Sequence, residues 1–409
     1  MELIATIVSF AIVLTIANRK KNLGLALMLG ALAMTVLSGW GPMEIWGLLW
    51  MSLSDPMTLR LTAIIVLISV FGRTMKDMGH LEDMVTAMTK LVRDTRWSLM
   101  LIPSLMGLLP VPGGAALSAP LIDKVGDKAS LGNNDKAALN LFFRHIWYLV
   151  FPLYPSLILA ESISGISVWD FIIIQTPAIL IGVVVAWWVF FPKGDREKYI
   201  TVEKEDPTAV RELGMSILPL GVVLIMALPL GISFVVALIV GITLTLITDR
   251  RNQVSGVMEK IKKSVLPGVN LKLAFAIVAI MVFQHTVREV GAVTVLAQMM
   301  TDLGMPLFPL VLAISFITGF STGSNIAAVG ATFAVFMPML SEQVMLPYLS
   351  LIYVISLVGY MVSPLHLCLV VTNDYFESEP KELLKRTRIP IVALVLWSIM
   401  FIWVYINVI

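Results

Sequence analysis

Long apolar runs follow one another along almost the whole chain, separated by short polar stretches that carry most of the charge. A helix crosses the hydrocarbon core of a bilayer with roughly 20 mostly apolar residues. By that measure the pattern predicts spans near 2–17, 23–39, 57–72, 138–160, 170–191, 214–229, 231–248, 271–287, 347–370 and 390–408. Two further apolar blocks, 97–121 and 306–340, are interrupted near their middles by Gly, Pro, Ser and Asn. The second interruption, Thr318 to Ala328, reads Thr-Gly-Phe-Ser-Thr-Gly-Ser-Asn-Ile-Ala-Ala. Irregular polar backbone is tolerated at membrane depth only where protein buries it or water lines it. These two blocks are therefore expected to enter the membrane and turn back as re-entrant hairpins.

The basic residues support that count. With the N-terminus outside, the inner segments are 18–22, 73–96, 123–137, 192–212, 249–266 and 373–390. They hold all of the 29 Lys and Arg residues except Arg60, Arg144, Lys272 and Arg288. Such an asymmetry orients a membrane protein with its basic loops in the cytoplasm, and it survives only if neither interrupted block crosses. Ten spans, two hairpins and both termini outside follow. The first apolar block has its basic cluster after it, the reverse of a cleaved signal peptide, and reads as a first span.

Composition narrows the class. The chain is 58% hydrophobic and 14% charged, with mean hydropathy +0.90, whereas soluble domains are about 25% charged. A net charge of +2 offers nothing to nucleic acid, and the single cysteine, Cys368, excludes an intramolecular disulfide or a cysteine metal cluster.

The chain also repeats, without gaps, at an offset of 212. Leu59-Arg60-Leu61 matches Leu271-Lys272-Leu273. Ile65, Val66, Ile68, Val70, Phe71, Thr74 and Gly79 recur as Ile277, Val278, Ile280, Val282, Phe283, Thr286 and Gly291. The same offset pairs Gly107 with Gly319, Ala115-Ala116 with Ala327-Ala328, Tyr148 with Tyr360, and Pro152-Leu153 with Pro364-Leu365. Each repeat holds five spans, an odd number, so the second must run inverted. The expected fold is an all-α polytopic membrane protein. Repeat 1 covers 1–192, a cytoplasmic linker 193–213, and repeat 2 covers 214–409. Inverted repeats with a binding site at their midplane junction characterise secondary transporters.

Candidate site residues follow from the breaks. The first hairpin turns at Leu109 to Ala115, and its prolines prevent a continuous helix. Its substrate-facing candidates are Pro112, Gly113 and Gly114. The matching turn, Ser321 to Ala327, offers Thr322, Gly323, Ser324 and Asn325. Half-helix ends there would present N–H groups to an anion and carbonyls to a cation. Each hairpin is followed by a proline-interrupted span, Phe151-Pro152-Leu153-Tyr154-Pro155-Ser156 and Ser363-Pro364-Leu365-His366. Tyr154 and His366 join the substrate list. Ser321, Ser324, Asn325, Ser363 and His366 are candidates for a coupling ion, either sodium held by oxygen atoms or a proton on His366. No Asp or Glu falls mid-span, and no catalytic residue, cofactor or other metal is expected. Arg144 and His145 fall near the inner end of their span, in reach of an anionic substrate, although Arg144 is expected rather to snorkel to the headgroups. His80 and His285 receive no role. After spans three and eight, Met75, Met78, Leu81, Met84 and Met88, with Val287, Val290, Val293, Leu296 and Met300, mark amphipathic segments suited to joining a scaffold to a moving unit.

Ten spans, paired hairpins, the repeat and the Ser-Asn tip resemble the ion transporter superfamily, which includes gluconate permeases, citrate and dicarboxylate carriers and the membrane subunits of TRAP transporters. The chain is most similar to an uncharacterised integral-membrane family of bacteria and archaea, over nearly its whole length and in the Leu-Pro-Val-Pro-Gly-Gly hairpin, Leu109 to Gly114. The resemblance implies a homodimeric carrier of small organic anions that works by an elevator motion in the cytoplasmic membrane. Dicarboxylate carriers have Ser-Asn-Thr at both tips. Here Ser324-Asn325-Ile326 keeps two of the three residues, and Pro112-Gly113-Gly114 stands at the other tip. Two alternatives remain. A lipid or lipid-phosphate translocase would use the same broken hairpins to pass a headgroup. A serine hydrolase would use Gly319-Phe320-Ser321-Thr322-Gly323, a GxSxG pattern, with His366 as base.

Overall fold

The computed structural model describes residues 2–20, 23–92, 94–108, 114–191, 199, 208–251, 256–291 and 306–408. Every regular element among them is helical. The first set comprises α1 (Glu2–Lys20), α2 (Leu23–Leu37), α3 (Pro42–Ser54), α4 (Pro56–Asp77), α5 (His80–Leu91), α6 (Thr95–Gly107), α7 (Gly114–Lys128), α8 (Asn133–His145), α9 (Pro155–Ser164) and α10 (Val168–Phe190). The second comprises α11 (Ala209–Ala227), α12 (Phe234–Ile247), a short helical run from Val257 to Gly268, α13 (Leu271–Glu289), α14 (Leu307–Thr322), α15 (Asn325–Phe336), α16 (Glu342–Val362), α17 (Leu367–Phe376) and α18 (Pro380–Val408).

Local chemistry sets where these helices begin. Asp55 caps α4 by accepting from Thr58 N–H at 2.9 Å, with Pro56 in the first turn. Asp94 caps α6 through Arg96 N–H at 2.9 Å, and Asn270 caps α13 through Leu273 N–H at 3.1 Å. Each satisfies an N–H group that a helix start leaves without a partner. The apolar pattern alone misses α3, which is too short to read as a span. Its signal is the Gly-Pro-x-Glu start, where the Glu44 carboxylate accepts from Gly41 N–H at 2.7 Å. This helix exposes Met43, Trp46 and Trp50, and tryptophan favours the membrane–water boundary.

Among the described residues, six helical stretches are long and apolar enough to cross a membrane: Pro56–Asp77, Val168–Phe190, Ala209–Ala227, Leu271–Glu289, Glu342–Phe376 and Pro380–Tyr405. This is a helical membrane protein. Of the other expected spans, α2 and α12 are apolar but have only 15 and 14 residues. The expected span 138–160 is broken into α8 and α9.

Helix boundaries recur at the spacing of the sequence repeat. Shifting Pro155–Ser164 by 212 gives Leu367–Phe376, and the starts of α6 and α10 map onto those of α14 and α18. Packing follows the same correspondence. Helix α4 lies against α12 and α13, and α13 lies against α2. The two sets of helices also cross over, with α15 packing on α9 and α7 packing on α17. Asn140 stitches the second crossing, accepting from Ser118 at 2.6 Å and donating to Thr372 Oγ1 at 3.2 Å. At the base of α7 and α8, buried Lys136 bonds Asp123 at 2.8 Å and also meets Asp127.

The amphipathic helix α5 does not lie free. His80 is buried, with its ring nitrogens 3.3 Å from Ser216 O and 3.1 Å from Thr248 O. Leu81 and Met84 are also buried, and α5 packs on both α11 and α6. Arg250 bonds Asp83 at 2.8 Å across the same junction. The corresponding Val293, Leu296 and Met300 lie outside the described residues.

Candidate binding site at two broken helices

Both proline interruptions, Phe151 to Ser156 and Ser363 to His366, are genuine breaks. Helix α8 tightens into a 3-10 turn, Ile146–Leu149, and the chain leaves helical geometry before Pro155 starts α9. Helix α16 ends at Val362, and His366 leads into α17. Proline supplies no N–H and clashes with the preceding turn, which accounts for both stops. Glycines then let backbones meet. A Cβ at Gly107 would overlap Arg144 O, and one at Gly319 would overlap Ser356 O, residues again 212 apart. Gly359 makes the reciprocal approach to Phe316 O. Gly319 is thus a packing residue. Gly323 separates α14 from α15 in the left-handed region (φ +57).

The two breaks bring together a buried polar cluster. Arg144, His145, Tyr148 and Tyr154 come from the first break, and Tyr360, His366 and Cys368 from the second. The Nε2 atoms of His145 and His366 lie 3.0 Å apart. The Tyr148 and Tyr154 rings lie 3.8 Å apart with their planes tilted by 31°, and Tyr360 lies 4.0 Å from His366, centroid to centroid. Tyr154 OH donates to Gly107 O, tying the break to the end of α6.

Arg144 overturns its sequence-based expectation. It does not snorkel, because α6 and the two breaks close over it and leave its surface 3% exposed. One NH group donates to Met106 O at 2.8 Å, while Nε has no partner. Among the described residues no carboxylate pairs with it; the groups that act on it are Cys368, Tyr154 and Tyr148. Buried charges are normally paired because desolvation is so costly.

A second limb reaches the cluster from α15. Tyr353 OH donates to Tyr148 O at 2.8 Å, so Ser156 OH must donate to Tyr353 at 2.7 Å. Ser156 in turn accepts from Asn325 Nδ2 at 2.9 Å. The chain of donors fixes the amide, and it leaves buried Asn325 Oδ1 with no partner.

The chain matches, over residues 2–409, the family described as Protein of unknown function (DUF401). It belongs to DUF401. No curated protein matches it.

In this DUF401 chain the expected site residues divide into three groups. Tyr154 and His366 belong to the cluster, and Asn325 joins it through Ser156 and Tyr353. Others serve the backbone: Ser324 caps α15 through Ala327 N–H at 3.4 Å, Thr322 bonds Thr318 O at 2.7 Å, and Ser363 bonds Phe320 O at 2.5 Å. Ser321 sits in the last turn of α14, and His366 directs its Nε2 at His145 instead. Gly114 starts α7, whereas Pro112 and Gly113 lie outside the described residues. Sequence reasoning weighed Arg144 and His145 as anion contacts but left them off the site, and it missed Ser156 and Tyr353. The available signals were the Tyr148–Tyr360 repeat pair and a lone arginine within an expected span.

His145, His366 and Cys368 offer three ligand atoms within 4.8 Å of one another. The guanidinium of Arg144 stands beside the same thiol and opposes a metal cation there, with no carboxylate in the set to offset it.

Proposed function

We propose that this DUF401 protein is a secondary active transporter of a small organic anion, of the ion transporter type, with the anion held at Arg144. The observation that carries the reading is the buried guanidinium with an unpaired Nε and no carboxylate partner among the described residues. An anion entering the cluster would supply the missing counter-charge, with a charge-assisted bond from the guanidinium and neutral donors from Tyr148 and Tyr360. The recurrence of helix boundaries at 212 and the crossing of α15 onto α9 and α7 onto α17 support two inverted repeats with re-entrant hairpins meeting at this point. Movement of the hairpin unit against a scaffold of α4, α12, α13 and α2 is the elevator step, with α5 as its connecting arm. The coupling ion is sodium or a proton, and the protein works as a homodimer in the cytoplasmic membrane with both termini outside.

A cavity of about 490 Å³, lined by Arg60, Ile64, Ile158, Glu161 and Phe234 and by none of the cluster's own residues, opens beside α9. Ile158 is one turn along α9 from Tyr154. The test is a thermal-shift screen of purified protein with gluconate, citrate, succinate and inorganic phosphate, with and without sodium. Stabilisation by an anion in the wild type, lost in Arg144→Leu, is the expected result.

One observation favours a second reading. An apolar cavity of about 250 Å³ lies between α6, α8 and α10, lined by Trp97, Ser104, Phe143, Trp147 and Ile179 among others. Phe143 adjoins Arg144, so an acyl chain there would place a phosphate headgroup near the guanidinium. Stabilisation by phosphatidic acid and by no soluble anion would select this lipid translocase.

A further inference from the structure

The histidine pair carries one more step, which rests on the transporter reading. A neutral imidazole has one N–H, on either nitrogen. His145 Nδ1 lies 2.7 Å from Leu141 O, and His366 Nδ1 lies 3.4 Å from Met361 O. A carbonyl oxygen can only accept, so both contacts call for the hydrogen on Nδ1. That leaves two Nε2 lone pairs facing each other at 3.0 Å, a hydrogen-bond distance with no hydrogen to fill it. One added proton resolves the conflict, giving an imidazolium Nε2–H that donates to the other ring.

We propose that the His145–His366 pair is the binding site of a single coupling proton taken up together with the anion. The groups facing the pair are Arg144 and Tyr148 from the first break and Tyr360 and Cys368 from the second, with the carbonyls of Leu141 and Met361 behind. Among the described residues none of these is a carboxylate. A proton on the pair places a second positive charge beside Arg144, with no carboxylate facing either among the described residues. A monoanion such as gluconate leaves one net positive charge but attracts both, so proton and anion each strengthen the binding of the other by the same factor. That reciprocity is the thermodynamic basis of symport.

The experiment measures proton uptake when gluconate, ionised throughout neutral pH, is added to purified protein in weak buffer. The wild type is expected to take up about one proton per bound gluconate, with affinity falling about tenfold per pH unit above the pair's titration. In His145→Gln or His366→Gln, whatever binding remains carries no proton and no pH dependence. Gluconate binding by the wild type without proton uptake, or unchanged uptake in both variants, overturns the proposal. Nitrogen-15 spectra of the histidine rings test the pair without any anion or substitution. The expected result is two Nδ1–H tautomers that gain one shared proton between them. Two rings titrating independently, or a permanent Nε2–H on either, overturns the proposal. A wild type that binds none of the screened anions counts against the transporter reading alone, because the spectra still decide the histidine pair.

Discussion

The two broken helices share a backbone plan and differ in chemistry. In both, a glycine on the preceding helix lets its backbone touch the next one, at Arg144 and at Ser356. A tyrosine follows four residues later in each, at Tyr148 and Tyr360, and a proline stop comes after it. Yet the first break carries Arg144 and His145 where the second has Ser356 and Leu357, and the second carries His366 where the first has Tyr154. The polar turn segments differ in sequence too, since Asn325 stands where the first copy of the repeat has Gly113. Repetition therefore builds the frame, in which two stops and two close contacts suffice. Charge is placed once, because a second buried guanidinium would repel the first with nothing between them.

The division of labour can be broken at its charged end first. Arg144→Leu is expected to lower anion affinity at least about 30-fold, the equivalent of losing about 2 kcal/mol or more from a desolvated charge pair. Arg144→Lys is expected to recover only part of it, because a point charge replaces a planar fork of donors. Titration calorimetry with the anion found in the screen measures both, and equal affinity in wild type and Arg144→Leu would remove the guanidinium from the site. Next comes the amide. Asn325→Ala is expected to abolish detectable binding in the same measurement while expression stays intact, and unchanged affinity would take the α15 tip out of the site.

The shared frame is tested by stability. Gly107→Ala and Gly319→Ala should each destabilise by about 1–3 kcal/mol, since the added methyl meets backbone that cannot rotate away. Gly221→Ala, in α11 with open space around its Cα, should be neutral or stabilising by up to about 1 kcal/mol. Thermal melts in one detergent compare the three. Similar melting points for all would show that the close contacts do not hold the breaks. The smallest effect is expected from Tyr353→Phe, which removes a donor to Tyr148 O and the acceptor for Ser156. A loss of about 1 kcal/mol is expected, read as a shift in melting temperature with a modest drop in affinity.

Much of the frame was legible in the chain. The 212-residue offset located both breaks, and proline and glycine chemistry explained why the helices stop there. Tyr154 and His366 were legible as polar residues at those stops, and Asn325 as one at the turn between α14 and α15. Helix α3 was not, because its length falls below any apolar window and its cap is the only mark. Arg144 was misread for a physical reason. A basic residue near the end of an apolar run meets headgroups if lipid surrounds it and a buried cluster if other helices do, and the run itself is the same in both cases.

Periodicity, loop charge and the repeat by themselves determined a helical membrane protein with helices broken at corresponding places, since each depends on local spacing along the chain. Tertiary structure alone decided that Arg144 is buried without a carboxylate among the described residues, that Asn325 is oriented through Ser156 and Tyr353, and that His145 faces His366. Those facts come from contacts between residues up to 221 positions apart. The histidine contact also falls outside the repeat's own register, because His145 pairs there with Leu357 and His366 with Tyr154. The packing of α17 against α8 brings the rings together.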